Sequence, residues 1–167
     1  HLLSRRQRQM CIRDRLTQVL NRSGFFYCAE TILQKIKEEK SNAFIIFLDI
    51  DGLKSVNDNL GHEIGDAFIA KIAGILKEVV PKDCLIMRYG GDEFVVFGSC
   101  KQAGRMQRIA EDIKAAIKTA DQKENRSYHL AASLGCSLHK SYEMDNLNSL
   151  IELADKKMYE EKKNKRR

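Results

Sequence analysis

The stretch that most constrains this chain is Arg88-Tyr89-Gly90-Gly91-Asp92-Glu93-Phe94. Leu85-Ile86-Met87 leads into it and Phe94-Val95-Val96-Phe97 continues it, both flanks apolar and rich in β-branched or aromatic side chains. Two such runs around a Gly-Gly pair predict a β-hairpin, because glycine takes positive φ without steric cost. Asp92 and Glu93 then lie side by side at the tip of a tight turn. Adjacent carboxylates repel unless a cation or a proton compensates them. A solvated acidic turn is the plain alternative, and a second acidic strand end, Asp49-Ile50-Asp51, weighs against it.

The rest of the chain reads as helices and strands around that hairpin. From Ser23, placed as an N-cap, Phe25, Ala29, Ile32 and Ile36 recur at helical spacing, and this helix is expected to run to about Lys40. Ala43 to Leu48 is a continuous apolar run too short for a second helix, which predicts a central strand buried on both faces. It ends in Asp49-Ile50-Asp51, with Asp51 as the expected cap of a short helix over Leu53 to Asn59. A longer helix is expected from about Glu63 to about Val80, stopped by Pro81. The hairpin strands are expected over 84–89 and 94–98, and an amphipathic helix over 102–123. Tyr128 to Leu138 reads as a strand or a strand pair, and a last helix is expected to run to about Lys163. A hairpin embedded among βα units predicts an α+β domain, a mixed sheet with helices packed on it.

At 167 residues the chain is long enough for one domain with its own core, and it has no apolar run approaching the roughly 20 residues of a membrane span. Five scattered cysteines with no C-x-x-C pattern read as reduced thiols of a cytoplasmic domain, whatever anchors the parent protein. The net charge of +6 is concentrated at the ends: residues 1–15 carry five Arg against Asp14, and residues 156–167 carry seven Lys or Arg against Glu160 and Glu161. A nucleic-acid face would spread basic charge along the fold and interleave it with aromatics, so no nucleic-acid partner is expected.

The hairpin stretch resembles the GGDEF signature of the diguanylate cyclases. The resemblance extends to Asp14-Arg15-Leu16-Thr17 with Asn21-Arg22, to Asp49 through Asp58, to Gly61-His62 with Gly65-Asp66, and to Ala154-Asp155, Tyr159, Lys162 and Arg166. It spans residues 14–167, in the family's order, and leaves residues 1–13 as the end of a linker or a cloning remnant. It implies a palm-like, ferredoxin-like fold of the nucleotidyl cyclase kind, a mixed or antiparallel central sheet flanked by helices. It also implies a reaction, the condensation of two GTP into cyclic di-GMP and two pyrophosphates, dependent on Mg²⁺ or Mn²⁺ and carried out between two protomers. An upstream sensory or dimerisation domain is expected in the parent protein.

Carried over position by position, the resemblance makes Asp49, Asp92 and the backbone carbonyl of Ile50 metal ligands. Glu93 either holds a metal or helps deprotonate the 3′-hydroxyl, so Asp92 and Glu93 are the catalytic pair. Gly90 and Gly91 would let the backbone approach the phosphates. Asn57 and Asp66 resemble the family's guanine readers, in keeping with an amide and a carboxylate able to meet the donors of a guanine edge. His62, between them, is expected to line the same pocket. Lys162 and Arg166, four apart on one helix face, match the family's triphosphate-binding Lys and Arg, and Lys54 is a further phosphate or structural candidate.

Three departures stand out. Gln18 and Lys165 occupy positions where the family usually has Gly, and Lys165 is taken with Lys163 and Arg167 as solvated charge. Val80-Pro81-Lys82-Asp83-Cys84-Leu85 lacks the Arg of the family's Arg-x-x-Asp product site. The competing classes are a catalytically weak domain serving as a GTP-binding or regulatory module, and an enzyme making a mixed cyclic dinucleotide. The intact signature and the retained Asp66 argue against them respectively.

Overall fold

The computed structural model describes residues 12–123, 127–140 and 146–165. The expectation for residues 1–13 therefore lies, apart from Ile12 and Arg13, outside the described residues, as does that for Arg166. In chain order the elements are α1 (Arg22–Glu38), β1 (Asn42–Ile50), α2 (Leu53–Leu60), α3 (His62–Val79), β2 (Leu85–Arg88), β3 (Glu93–Cys100), α4 (Arg105–Lys123), β4 (Ala132–Lys140) and α5 (Leu147–Lys165). The strands order β2-β3-β1-β4, and every neighbouring pair is antiparallel. Of the expected mixed or antiparallel sheet, the antiparallel form is the one observed. Its parallel element is a lone bridge between Leu20 and Met87, through which the loop before α1 covers the outer edge of β2.

Alternation along β1 divides the interior in two. Phe44, Ile46, Leu48 and Ile50 point toward α3 and α4, among Phe68, Ile72, Ile109 and Ile113. Ala43, Ile45 and Phe47 point the other way, among Phe25, Ala29 and Ile36 of α1 and Leu150, Ile151, Ala154 and Met158 of α5. Asp49 is next in this second set, so strand periodicity alone turns its carboxylate toward α5.

The seating of α5 depends on Gly135 of β4. A Cβ there would lie 2.0 Å from the carbonyl oxygen of Ala154 and 2.2 Å from the nitrogen of Met158, so the helix backbone rests directly on the strand. Burying Leu150, Ile151 and Met158 is worth about 1.5–3 kcal/mol each. An exposed ion pair contributes at most about 1 kcal/mol. Apolar packing therefore sets where α5 lies, and its charged residues act from that seat.

Two expected caps are replaced. Helix α1 is capped by Asn21 rather than Ser23: the Asn21 side chain accepts from the Gly24 N–H at 2.9 Å, and Ser23 already lies in the first turn. The helix stops at Glu38, short of the expected Lys40, which turns at φ 48°. Helix α2 begins after Gly52, at φ 79° with no side-chain cap, because the Asp51 carboxylate is engaged elsewhere. Tyr128 to Leu138 resolves into a coil followed by the single strand β4. No helix among the described residues is long and apolar enough to cross a membrane.

Candidate active site

The hairpin turn forms as expected, but its glycines serve a different purpose. Neither Gly90 nor Gly91 takes positive φ. The turn is closed by the Tyr89 N–H donating to the Glu93 carbonyl at 2.8 Å, and it is tied to β1 by the Ile50 N–H donating to the Asp92 carbonyl at 3.0 Å. Gly90 is small because Glu93 folds back over it: a Cβ there would lie 2.4 Å from Glu93 Oε2. A Cβ on Gly91 would meet nothing within 4 Å, so that face of the turn is open.

The register of β1 with β3 sets Asp49 directly opposite Glu93. Burial pushes the Asp49 carboxyl above its usual range; Lys162 opposes the shift, and the charges of Asp92 and Asp51 add to it. Burial likewise raises Glu93, joined by the charges of Asp92, Asp49 and Asp155. The two raised carboxyls thus share one excess of negative charge. From α5, the Lys162 ammonium donates to Asp49 Oδ1. The lysine expected at a triphosphate and the carboxylate expected at a metal are therefore in contact.

The remaining candidates are distributed around this centre. Asn57, half-buried on α2, packs onto α3 where Gly65 has no side chain: a Cβ on Gly65 would lie 1.9 Å from Asn57 Oδ1. Asp66 and His62 are exposed in the first turns of α3, and Lys54 is exposed at the start of α2.

Three residues acquire a place that the sequence reading did not give them. Arg88 Nε and Nη2 donate to the Gly91 carbonyl at 3.2 and 2.7 Å, while Nη1 donates to both carboxylate oxygens of Asp14 at 3.2 and 3.3 Å. Its position immediately before the turn was the available signal. Asp155 adds its charge to Glu93 from α5, seven residues before Lys162 and hence on the same helix face. Lys165 is exposed, as a solvated charge would be, yet its ammonium donates to Asp51, to the Ala132 carbonyl and to Ser133. The stretch without an Arg also has a counterpart in space, since Arg105 of α4 donates to both Asp83 oxygens at 2.7 and 2.8 Å.

The donor set suits a hard divalent cation. It is all oxygen, and burial together with the neighbouring carboxylates raises Asp49 and Glu93, so that such an ion would favour their charged forms. Among the described residues no three His, Cys, Asp or Glu side chains are grouped closely enough to hold a metal unaided. The remaining ligands would be phosphate oxygens and water, which is the coordination Mg²⁺ prefers.

The chain is similar to known proteins over most of its length. Diguanylate cyclase A of Treponema denticola is 29% identical over 162 residues, which cover 95% of this chain and 43% of that protein. Diguanylate cyclase VdcA of Vibrio cholerae is 32% identical over 151 residues, covering 89% of this chain and 43% of that protein. The chain thus spans less than half the length of these relatives. Among solved structures, the coiled coil and GGDEF domain of DgcB from Caulobacter crescentus in complex with c-di-GMP superposes with a TM-score of 0.81 at 25% identity, over 94% of this chain and 83% of that one. The GGDEF domain of PA1120 from Pseudomonas aeruginosa does so with a TM-score of 0.80 at 28% identity, over 91% and 89%. The family model described as diguanylate cyclase, GGDEF domain, matches residues 11–167, and the chain belongs to that family.

Proposed function

We propose that this domain condenses two GTP molecules into cyclic di-GMP and two pyrophosphates. The observation that supports this most is the pairing of Asp49 with Glu93 across β1 and β3, beside Asp92 and beneath Lys162. Asp49, Asp92, the Ile50 carbonyl and Glu93 would hold Mg²⁺ or Mn²⁺. When bound, that ion supplies charge neutralisation at the phosphates.

The chain's own residues do the rest. Asn57 and Asp66 meet the guanine edge, with His62 beside them. A site built to hydrogen-bond a base edge leaves buried groups unpaired when the wrong base enters, so GTP is preferred over ATP. Lys54, Lys162 and Arg166 take the triphosphate, and the open face of Gly91 admits it closely. Glu93, with its carboxyl raised, accepts the proton of the 3′-hydroxyl or joins the metal ligands. In each half of the reaction a 3′-oxygen bonds to the facing α-phosphorus, the bond to the bridging oxygen breaks, and pyrophosphate leaves. Two such exchanges close the ring.

One chain carries one set of these residues, so the two GTP molecules are held by two facing protomers, most simply about a two-fold axis. The parent protein would supply the dimerisation or sensory part, with this domain in the cytoplasm. Initial rate per enzyme across an about hundredfold dilution series tests the arrangement. The rate should climb with concentration and then level. A flat profile from a protein shown to be monomeric throughout would contradict it.

A further inference from the structure

Helix α5 ends in two lysines that face different carboxylates of the same strand end. Lys162 meets Asp49. Lys165 Nζ donates to Asp51 Oδ2 at 3.1 Å, to the Ala132 carbonyl at 2.6 Å and to Ser133 Oγ at 3.1 Å. Glu161 Oε1 lies 3.4 Å from the same nitrogen, so four oxygens surround an ammonium that has three N–H donors. Ser133 is fully buried, and its hydroxyl is satisfied by accepting from Lys165 and donating to Asp51 at 2.8 Å. One turn earlier, Glu161 Oε2 accepts from Lys114 at 2.8 Å and Oε1 accepts from the Leu134 N–H at 3.4 Å. The last turn of α5 is thereby pinned to β4, to α4 and to the end of β1.

We propose that Lys165 is a positioning residue of the GTP site: it fixes the last turn of α5 and occupies Asp51, so that Lys162 is left facing Asp49 and the incoming triphosphate. This rests on reading the site as one that binds GTP. The competition is specific. Asp49 and Asp51 flank one residue, and each takes one lysine from the last turn of α5. Without Lys165, the carboxylate of Asp51 would be without its cation, and Lys162 is the neighbouring one that could move to it. Because its donors are spent, Lys165 acts through Lys162 rather than on phosphate.

The test uses calorimetric affinity for a GTP analogue with a non-cleavable α–β bridge, in the presence of Mg²⁺. It compares the unsubstituted chain with Lys165→Met, Lys165→Arg, Lys162→Met and the Lys162→Met/Lys165→Met pair, with thermal melting of each. Lys165→Met should weaken binding about tenfold, Lys165→Arg should recover most of it, and the second substitution should cost under about twofold once Lys162 is gone. In turnover the loss should appear in KM with kcat nearly unchanged. Unchanged affinity in a folded Lys165→Met protein would overturn the proposal. So would a full additive loss in the Lys162→Met background, which would make Lys165 a direct ligand. A chain that binds the analogue but does not cyclise GTP would contradict the cyclase reading alone, and the same affinities would still decide on Lys165.

Discussion

The guanidinium of Arg88 joins Asp14 to Gly91. One nitrogen reaches both Asp14 oxygens at 3.2 and 3.3 Å, and the other two reach the Gly91 carbonyl at 3.2 and 2.7 Å. Asp14 in turn accepts from the Thr17 N–H and hydroxyl at 2.9 and 2.7 Å. The loop before α1 and the turn that carries Asp92 are therefore held by one side chain.

This contact has a pH signature. Burial alone would raise the Asp14 carboxyl, but the Thr17 hydrogen bonds and the Arg88 charge outweigh it and hold the group below its ordinary 3.8. A carboxyl with a depressed folded pKa contributes stability that is complete above the unfolded value and is lost as the pH falls through the folded one. Asp14→Asn should cost about 1–2 kcal/mol near neutral pH. In urea denaturation the difference from the unsubstituted protein should shrink as the pH is taken from neutral to below the ordinary 3.8. A difference of equal size at both pH values would contradict the assignment.

Asp49 and Glu93 work with the opposite sign. Their raised carboxyls mean that ionising them costs folding stability as the pH rises past the unfolded values. Glu93→Gln should melt higher than the unsubstituted protein near neutral pH while losing product formation, because it relieves repulsion and empties no core. Asp92→Ala should keep its fold and lose product by about a hundredfold or more. Mg²⁺ together with a non-cleavable GTP analogue should raise the melting temperature of the unsubstituted protein more than that of Glu93→Gln. If both variants stay within about threefold of normal rate, the hairpin is not catalytic.

The two glycines separate in the same way. In Gly90→Ala the new Cβ displaces the Glu93 carboxylate, so rate should fall even where GTP still binds. Gly91→Ala meets nothing in the free protein and should melt normally, yet raise KM for GTP about tenfold or more if a phosphate fills that face. A Gly91→Ala enzyme with normal KM would place the triphosphate elsewhere.

The architecture was legible because it rests on periodicity. The apolar positions of α3 and α5 predict their buried faces, and the continuous apolar run of β1 predicts a strand buried on both sides. What was not legible depends on contacts between distant segments. Ser23 and Asp51 are both plausible caps by type. Asn21 wins because its side chain reaches the Gly24 N–H, and Asp51 is drawn away by Ser133 and Lys165. Lys165 looked like one charge in a run, since nothing within α5 indicates that it reaches β4. Gln18 keeps the left-handed turn at φ 61° that a glycine would adopt freely, its side chain donating to the Arg15 carbonyl at 2.9 Å. Gly90 was assigned to φ, but what a side chain there would meet is the Glu93 carboxylate, which would have to move.

The most direct test of the account is a chromatogram of nucleotides after the purified protein is incubated with GTP and Mg²⁺, alongside Glu93→Gln and an ATP control. The account predicts conversion of GTP into cyclic di-GMP and pyrophosphate at a two-to-one ratio of pyrophosphate to cyclic product, from the stoichiometry of two displacements per ring. It predicts little product from ATP and none from the variant. Unconsumed GTP at concentrations that favour dimers, or equal use of ATP, would contradict it.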